Sequence, residues 1–149
     1  MRNISIYHAN ARFTGSAAKF ALPEESHKAI SVRIARQKAT EGFPSFDWDD
    51  AVEVTLGVLE VAEILQVLRG ECESIADGKG IFVKKGDTQK TFRMDHLVEP
   101  VPCYSFSVFE KNKDGVIDKG RTFYVNTTEA LALCLAFEGI ISNWMTMEA

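Results

Sequence analysis

Short apolar or alternating runs, each closed by turn residues, follow one another along the chain and twice give way to the three-to-four-residue period of an amphipathic helix. The pattern predicts strands over residues 4–9, 17–22, 29–36 and 52–56, and again over 80–85, 90–94, 103–111 and 121–125. The separators are Pro23-Glu24, Gly42 to Pro44, Lys85-Gly86-Asp87, Pro100 with Pro102, and Lys113-Asp114-Gly115, all residues with turn chemistry. A helix follows each fourth strand. The first carries Val61, Ile64, Leu65 and Leu68 on one face, widened by Ala62 and Val67, and ends at Arg69-Gly70, where a C-terminal glycine belongs. The second is apolar almost all round from Ala130 to Phe137 and continues through Ile140, Ile141, Trp144 and Met145.

The two sets are copies of one pattern. Residues 54–70, VTLGVLEVAEILQVLRG, align with 123–139, FYVNTTEALALCLAFEG, at a constant offset that matches Glu60 with Glu129 and Gly70 with Gly139. Both glutamates lie three residues after a candidate cap, Gly57 or Asn126, the spacing of a capping box. The expected architecture is one domain over 1–149, built from ββββα repeats at about 1–75 and 76–149. Strand runs closed by a single helix do not make parallel βαβ units, so the class is α+β with two antiparallel four-stranded sheets. A helix apolar on more than one face must bury more than one face. The second helix therefore either meets another copy of the chain or lies between the chain's own two sheets.

Composition narrows the function. A chain of 149 residues that is 46% apolar can close a core without disulfides or metals. Cys72, Cys103 and Cys134 form no C-x-x-C pair and read as packing residues. No apolar stretch reaches membrane-spanning length, and Arg2 and the polar run 7–19 do not resemble a secretory leader. The expectation is a cytoplasmic or nucleoid-associated protein, not secreted and without a membrane partner. His8, His27 and His96 fall in separate elements without metal-ligand spacing, and no nucleophile has a general base. Residues 70–80 lack the Walker pattern, and 114–118 lack the ligands of a calcium loop. Neither enzyme activity, a cofactor nor a metal is expected.

Charge distribution says more than net charge. The total is -4, yet residues 1–40 hold seven basic groups against two acids, a local +5, and residues 79–93 add five against one, a local +4. The acids collect in 47–63, 71–77 and 110–118. Tyr7, Phe13, Phe20, Phe82 and Phe92 are interleaved with the cations, and Phe46 and Trp48 precede the fourth strand. Cations tracking a backbone and aromatics stacking on unpaired bases are what single-strand binding requires. The alternative is that the aromatics are core and the cations solvated strand faces.

Phe46-Asp47-Trp48, the run Leu68-Arg69-Gly70-Glu71-Cys72-Glu73-Ser74, residues 90–111 with Val98-Glu99-Pro100 between strands, and the final strand and helix over 123–144 together resemble the Whirly proteins. Their fold is shared with transcriptional coactivators of the positive-cofactor type and with kinetoplastid mitochondrial RNA-binding proteins. Over roughly residues 4–145 the resemblance implies two sheets, helices at the core of a homo-oligomer, and single-stranded DNA along the sheet surfaces. One departure is local. Where plant members carry KGKAALSV, this chain reads Thr14-Gly15-Ser16-Ala17-Ala18-Lys19-Phe20-Ala21-Leu22, without the lysines that flank the glycine.

The resulting nucleic-acid candidates are Arg12, Lys19, Arg33, Arg36, Lys38, Lys84, Lys85, Lys90 and Arg93 for phosphates, with Phe20, Phe46, Trp48 and Phe92 for bases. Alternation puts Phe92 and Arg93 on opposite faces, so if Arg93 lines the strand, Phe92 is core. Leu131, Leu135, Ile140, Ile141 and Trp144 are the candidates for a dimer or tetramer interface. The expected function is sequence-tolerant binding of single-stranded DNA in transcription, replication, recombination or repair. The alternatives are an RNA-binding or annealing factor, and an oligomeric scaffold recognised by proteins through acidic residues 47–50 and 71–77.

Overall fold

A computed structural model describes residues 3–21 and 28–146. Leu22, the Pro23-Glu24 turn and His27 lie outside the described residues, as do the side chains of Lys85 and Met145. The elements are β1 (Asn3–His8), β2 (Ser16–Ala21), β3 (Ala29–Arg36), β4 (Val52–Gly57), α1 (Val58–Leu68), β5 (Ile81–Lys85), β6 (Thr88–Leu97), β7 (Cys103–Lys111), β8 (Ile117–Asn126) and α2 (Thr127–Thr146). Single helical turns at Trp48–Asp50 and Ile75–Gly78 sit in the connections before β4 and β5. The strands form two antiparallel sheets in the sequential orders β1-β2-β3-β4 and β5-β6-β7-β8, as the ββββα repeats predict.

Two strands run longer than their patterns. β6 continues past Met94 because backbone pairing with β7 carries Asp95 and His96 opposite Ser105 and Tyr104, with the His96 ring stacked on Tyr104 at 4.5 Å. β8 begins at Ile117, ahead of the 121–125 pattern, because backbone pairing with β7 carries Lys119 and Gly120 opposite Glu110 and Phe109, and a lysine at the inward position 119 hides the alternation.

Each sheet turns one face inward. Ala18, Phe20, Ile30, Val32, Ile34, Val52, Val54 and Leu56 meet Phe92, Met94, Tyr104, Phe106, Val108, Phe123 and Val125 in one buried cluster, closed by side chains of both helices. Phe20 marks the join. Its ring packs edge-on against Phe106 of the second sheet at 5.8 Å and against Phe137 of α2 at 5.7 Å. Phe20 and Phe92 are fully buried, so neither can stack on a bound base; both are core. Trp144 is also buried in the chain's own core rather than offered to another copy. Ile140 and Ile141 are half-buried against that core, whereas Leu131 and Leu135 stay 60% and 61% exposed. One side of α2 is thus covered by the sheets and α1, and the side carrying Leu131 and Leu135 is open.

The helix ends follow from local sequence. α1 stops in a Schellman motif: Gly70, at φ +78, donates to the carbonyl of Val67 at 3.0 Å, and Glu71 donates to that of Gln66 at 2.9 Å. α2 starts with the capping box: the Glu129 amide donates to Asn126 Oδ1 at 2.8 Å, and the Asn126 amide donates to Glu129 Oε1 at 3.0 Å. Gly57, the matching cap of α1, has no side chain to reciprocate. Glu129 also takes a 2.8 Å contact from His8 Nε2, and the His8 ring stacks on Phe123 at 4.8 Å. The first strand of the first repeat is thereby fixed to the last strand and helix of the second. Between the helices, Arg69 Nε donates to Glu138 Oε1 at 2.9 Å.

Because the halves share one core, Phe106→Ala should remove about 3–5 kcal/mol of stability. Urea unfolding followed by circular dichroism and by tryptophan fluorescence should then shift as a single coincident transition. Two separated transitions would show that the halves fold independently.

Candidate nucleic-acid interface

Burying one face of each sheet leaves the opposite faces as the surfaces available to a ligand. Strand register fixes their residues. On the second sheet, Phe82, Thr91, Phe109 and Gly120 lie side by side across β5 to β8, followed by Arg93, Ser107 and Thr122, then Asp95, Ser105 and Tyr124. Phe82 and Tyr124 are 57% and 52% exposed. Phe109 lies over Gly120, where a Cβ would come within 2.7 Å of the ring, so the glycine leaves the room that the phenyl group occupies on β8. Between the aromatics the floor is hydroxylic, with Ser107 Oγ and Thr122 Oγ1 hydrogen-bonded at 2.9 Å. Arg93 is half-exposed at the rim beside Asp95, 3.8 Å away, and Ser74 Oγ donates to the same Asp95 at 2.6 Å. Exposed Lys84 lies in the row with Gln89 and Lys111. Aromatic faces over a small polar floor with cations at the edge offer stacking and phosphate contacts without a base-specific code.

The first sheet is covered differently. Residues 46–51 fold back over its outer face, where Phe46 packs on Ala17 and Ala35 and meets the Tyr7 ring at 5.5 Å. The two alanines are the clearance that admits the phenyl group. Phe46 is consequently buried and holds the segment down instead of presenting a stacking face. Trp48 is half-exposed with Lys19 Nζ over its ring, 4.5 Å from the centroid. Arg33 donates to the Trp48 carbonyl and lies 4.0 Å from Glu53. The fold therefore gathers Lys19, Arg33, Phe46 and Trp48 into one cluster across β2, β3 and the connection to β4. Arg12 and Lys38 stand apart on exposed loops.

Lys90 belongs to neither outer face. Register places it in the inward row with Val83, Glu110 and Lys119, on the same face as Phe92. Its ammonium donates to the Glu53 carbonyl and pairs with Glu110 at 3.7 Å, which ties β6 to β4. That engagement makes Lys90 a join between the sheets, not a phosphate ligand.

Asp50 is a hub that the sequence does not announce. Its carboxylate accepts from Lys119 Nζ at 2.7 Å, from Arg121 at 2.7 Å and from Arg36 at 3.4 Å. Arg121 is buried, and its guanidinium also donates to the carbonyls of Gly120 at 2.7 Å and Asp50 at 3.1 Å. The hydrogen bond from Lys119 and the surrounding positive charge hold the Asp50 carboxyl below its usual range. Three cations from β3 and β8 thus latch the 46–51 segment, and Arg36 serves that latch. Signals for Lys119 and Arg121 were faint because cations at inward strand positions read as breaks in the apolar pattern.

Other candidates stay separate. Cys134, whose thiol burial pushes up, lies 3.5 Å from Glu138 within α2, while Cys72 is exposed and Cys103 half-buried. Among the described residues, no three histidine, cysteine or acidic side chains are placed to hold a metal ion. No described helix is long and apolar enough to cross a membrane.

Two sequential four-stranded antiparallel sheets, each followed by a helix, define the Whirly fold, and this chain has it. Among solved structures it is similar to the Whirly protein WHY3 from Arabidopsis thaliana, with a TM-score of 0.74 and 16% identity over 99% of this chain and 90% of that one. The plant transcriptional regulator PBF-2 follows at 0.70 and 17%, covering 99% of this chain and 84% of the other. A guide-RNA-binding protein complex bound to a guide RNA gives 0.66 and 15%, covering 94% and 89%. No protein-family model and no curated protein sequence matches the chain.

Because its folded carboxyl is depressed below 3.8, Asp50 stabilises the fold fully above that pH and loses its contribution as pH falls through the lower folded value. Asp50→Asn should melt below the parent protein at neutral pH, with the gap closing under acid. Thermal melts of both proteins across that range check the sign.

Proposed function

We propose that the chain is a non-catalytic, sequence-tolerant binder of single-stranded DNA, acting where single strands are exposed in transcription, replication, recombination or repair. The observation that carries this reading is the open outer face of the second sheet, with Phe82, Phe109 and Tyr124 over the Ser107–Thr122 floor and Arg93 and Lys84 at its rim. Lys19, Arg33 and Trp48 form the corresponding element on the first sheet. A broad aromatic sheet surface stacks splayed bases but does not enter a duplex groove. Neighbours of the same fold support the reading, since one is a transcriptional regulator and another is bound to a guide RNA. A protein-recognised acidic surface at 47–50 fits less well, because Asp50 is occupied by three cations.

The reading extends to assembly and compartment. The exposed Leu59, Leu131 and Leu135 on the helices are the contact through which copies form a homo-oligomer, a dimer or tetramer, leaving the sheet faces outward. We read 1–149 as one domain of two repeats, working in the cytoplasm or on the nucleoid.

Fluorescence anisotropy with labelled oligo-dT should show binding that weakens with salt, through counterion release. Phe82→Ala and Tyr124→Ala should each cost about 1–3 kcal/mol. Equal affinity for duplex and single strand would overturn the proposal, and competition between matched DNA and RNA oligonucleotides decides which nucleic acid is preferred. Native mass spectrometry of Leu131→Asp/Leu135→Asp should show a smaller assembly than the parent chain.

A further inference from the structure

At the loop end of the first sheet, beyond the Phe46 cover, an open groove of about 330 Å³ lies between the β1–β2 loop and the segment after β3. Its volume falls at the small end of ligand pockets, about 300–1,000 Å³. One wall is unusually fixed. Gln37, 9% exposed, clamps the loop by accepting from the amides of Asn10 at 3.0 Å and Gly15 at 3.2 Å and donating to the Asn10 carbonyl at 3.2 Å. Gly15 is required there, because a Cβ would stand 2.0 Å from the His8 carbonyl oxygen. Asn10 Oδ1 in turn accepts from the amides of Arg12 at 3.0 Å and Thr14 at 3.1 Å.

Held by these bonds, Phe13 sits at φ +57, a left-handed conformation that a bulky residue occupies only when its surroundings impose it. The result is a phenyl ring on the groove wall that is 42% exposed. The other wall is formed by Thr40, Gly42 and Pro44. Phe43, between the last two in sequence, is not part of that wall and is 95% exposed. A large apolar side chain that free has no packing role within the chain. Charge fits an anionic strand: Arg12 and Lys38 outnumber Glu41, the one carboxylate on these loops. The groove is also continuous with the sheet face, since Gln37 bridges to Phe46, which contacts Tyr7.

We propose that this groove is a second base-binding site, taking one unpaired nucleobase of a strand that leaves the first sheet, stacked on Phe13 of the wall, with Phe43 on the flanking loop offering a further ring to the same strand and its phosphates beside Arg12 and Lys38. The wall polar groups are already engaged, the Gln37 amide with the Asn10 backbone and the Asn10 amide with Thr14, so the site selects for an unpaired base and not for its identity. The inference rests on the single-strand reading of the sheet faces and adds a site to it.

The test is Phe13→Asn/Phe43→Ser, in which asparagine keeps the left-handed backbone while removing the ring. With an unchanged melting temperature, its affinity for labelled oligo-dT should fall on the order of tenfold. Photocrosslinking of the parent protein to an oligonucleotide carrying 5-iodouracil should label Phe13 or Phe43 as well as the sheet aromatics. Parental affinity in the double variant, with crosslinks confined to Phe82, Phe109 and Tyr124, would overturn the groove and leave the sheet reading standing. Failure of the parent protein to bind any single strand overturns both.

Discussion

Phe20 has to be buried, and its own half of the chain cannot bury it. Its ring packs edge-on against Phe106 and Phe137, which belong to the other repeat. The same holds for the whole inward face of each sheet: four strands and one helix leave too much apolar surface for either half to close alone. Mutual coverage of two faces is the condition that the rest of the structure answers to. It sets the sequential strand order on each side, fixes the helices at the margin of a common core, and directs the opposite face of each sheet toward solvent.

With the inner faces occupied, the joins become polar and few. His8 with Glu129, Lys90 with the Glu53 carbonyl and Glu110, and the cations around Asp50 each connect one repeat to the other. These residues look like surface charge in the sequence, yet they act at the seam. The outer faces are left with a different set: Phe82, Phe109, Tyr124, Arg93 and Lys84 on one, Lys19, Arg33 and Trp48 on the other. Net charge says little about such surfaces, since seam and faces alike carry cations paired with acids.

The eight strands and two helices were legible because apolar period and turn chemistry are local signals. The Asn126–Glu129 capping box and the Gly70 helix end could be read in the same way. What could not be read was which side of a strand each residue takes once a second sheet arrives. Phe92 and Lys90 share an inward face, so a stacking candidate became core and a phosphate candidate became a tie. Phe109 and Tyr124 lie on the outward face, but nothing in a sequence window separates them from Phe106 and Phe123 until the register is fixed. Trp144 looked like an interface residue for the related reason that helix faces are assigned by partners distant in the chain. The Asp50 hub is the extreme case, joining residues whose only common property is the place where two sheets meet.

Glu60 and Glu129 occupy equivalent positions of the duplicated pattern, yet only Glu129 has a side-chain cap to answer it and a histidine from the far repeat to hold. The copies have therefore ceased to be interchangeable at the position where they look most alike. Cutting the chain in the connection between Gly70 and Gly80 leaves complementary fragments, each with a bare apolar sheet face, instead of two small domains. Two identical first halves would lack the Glu129 contact for their His8 residues, and two identical second halves would lack the histidine. Heterologous pairing is written into the polar seam even though the apolar faces alone do not enforce it.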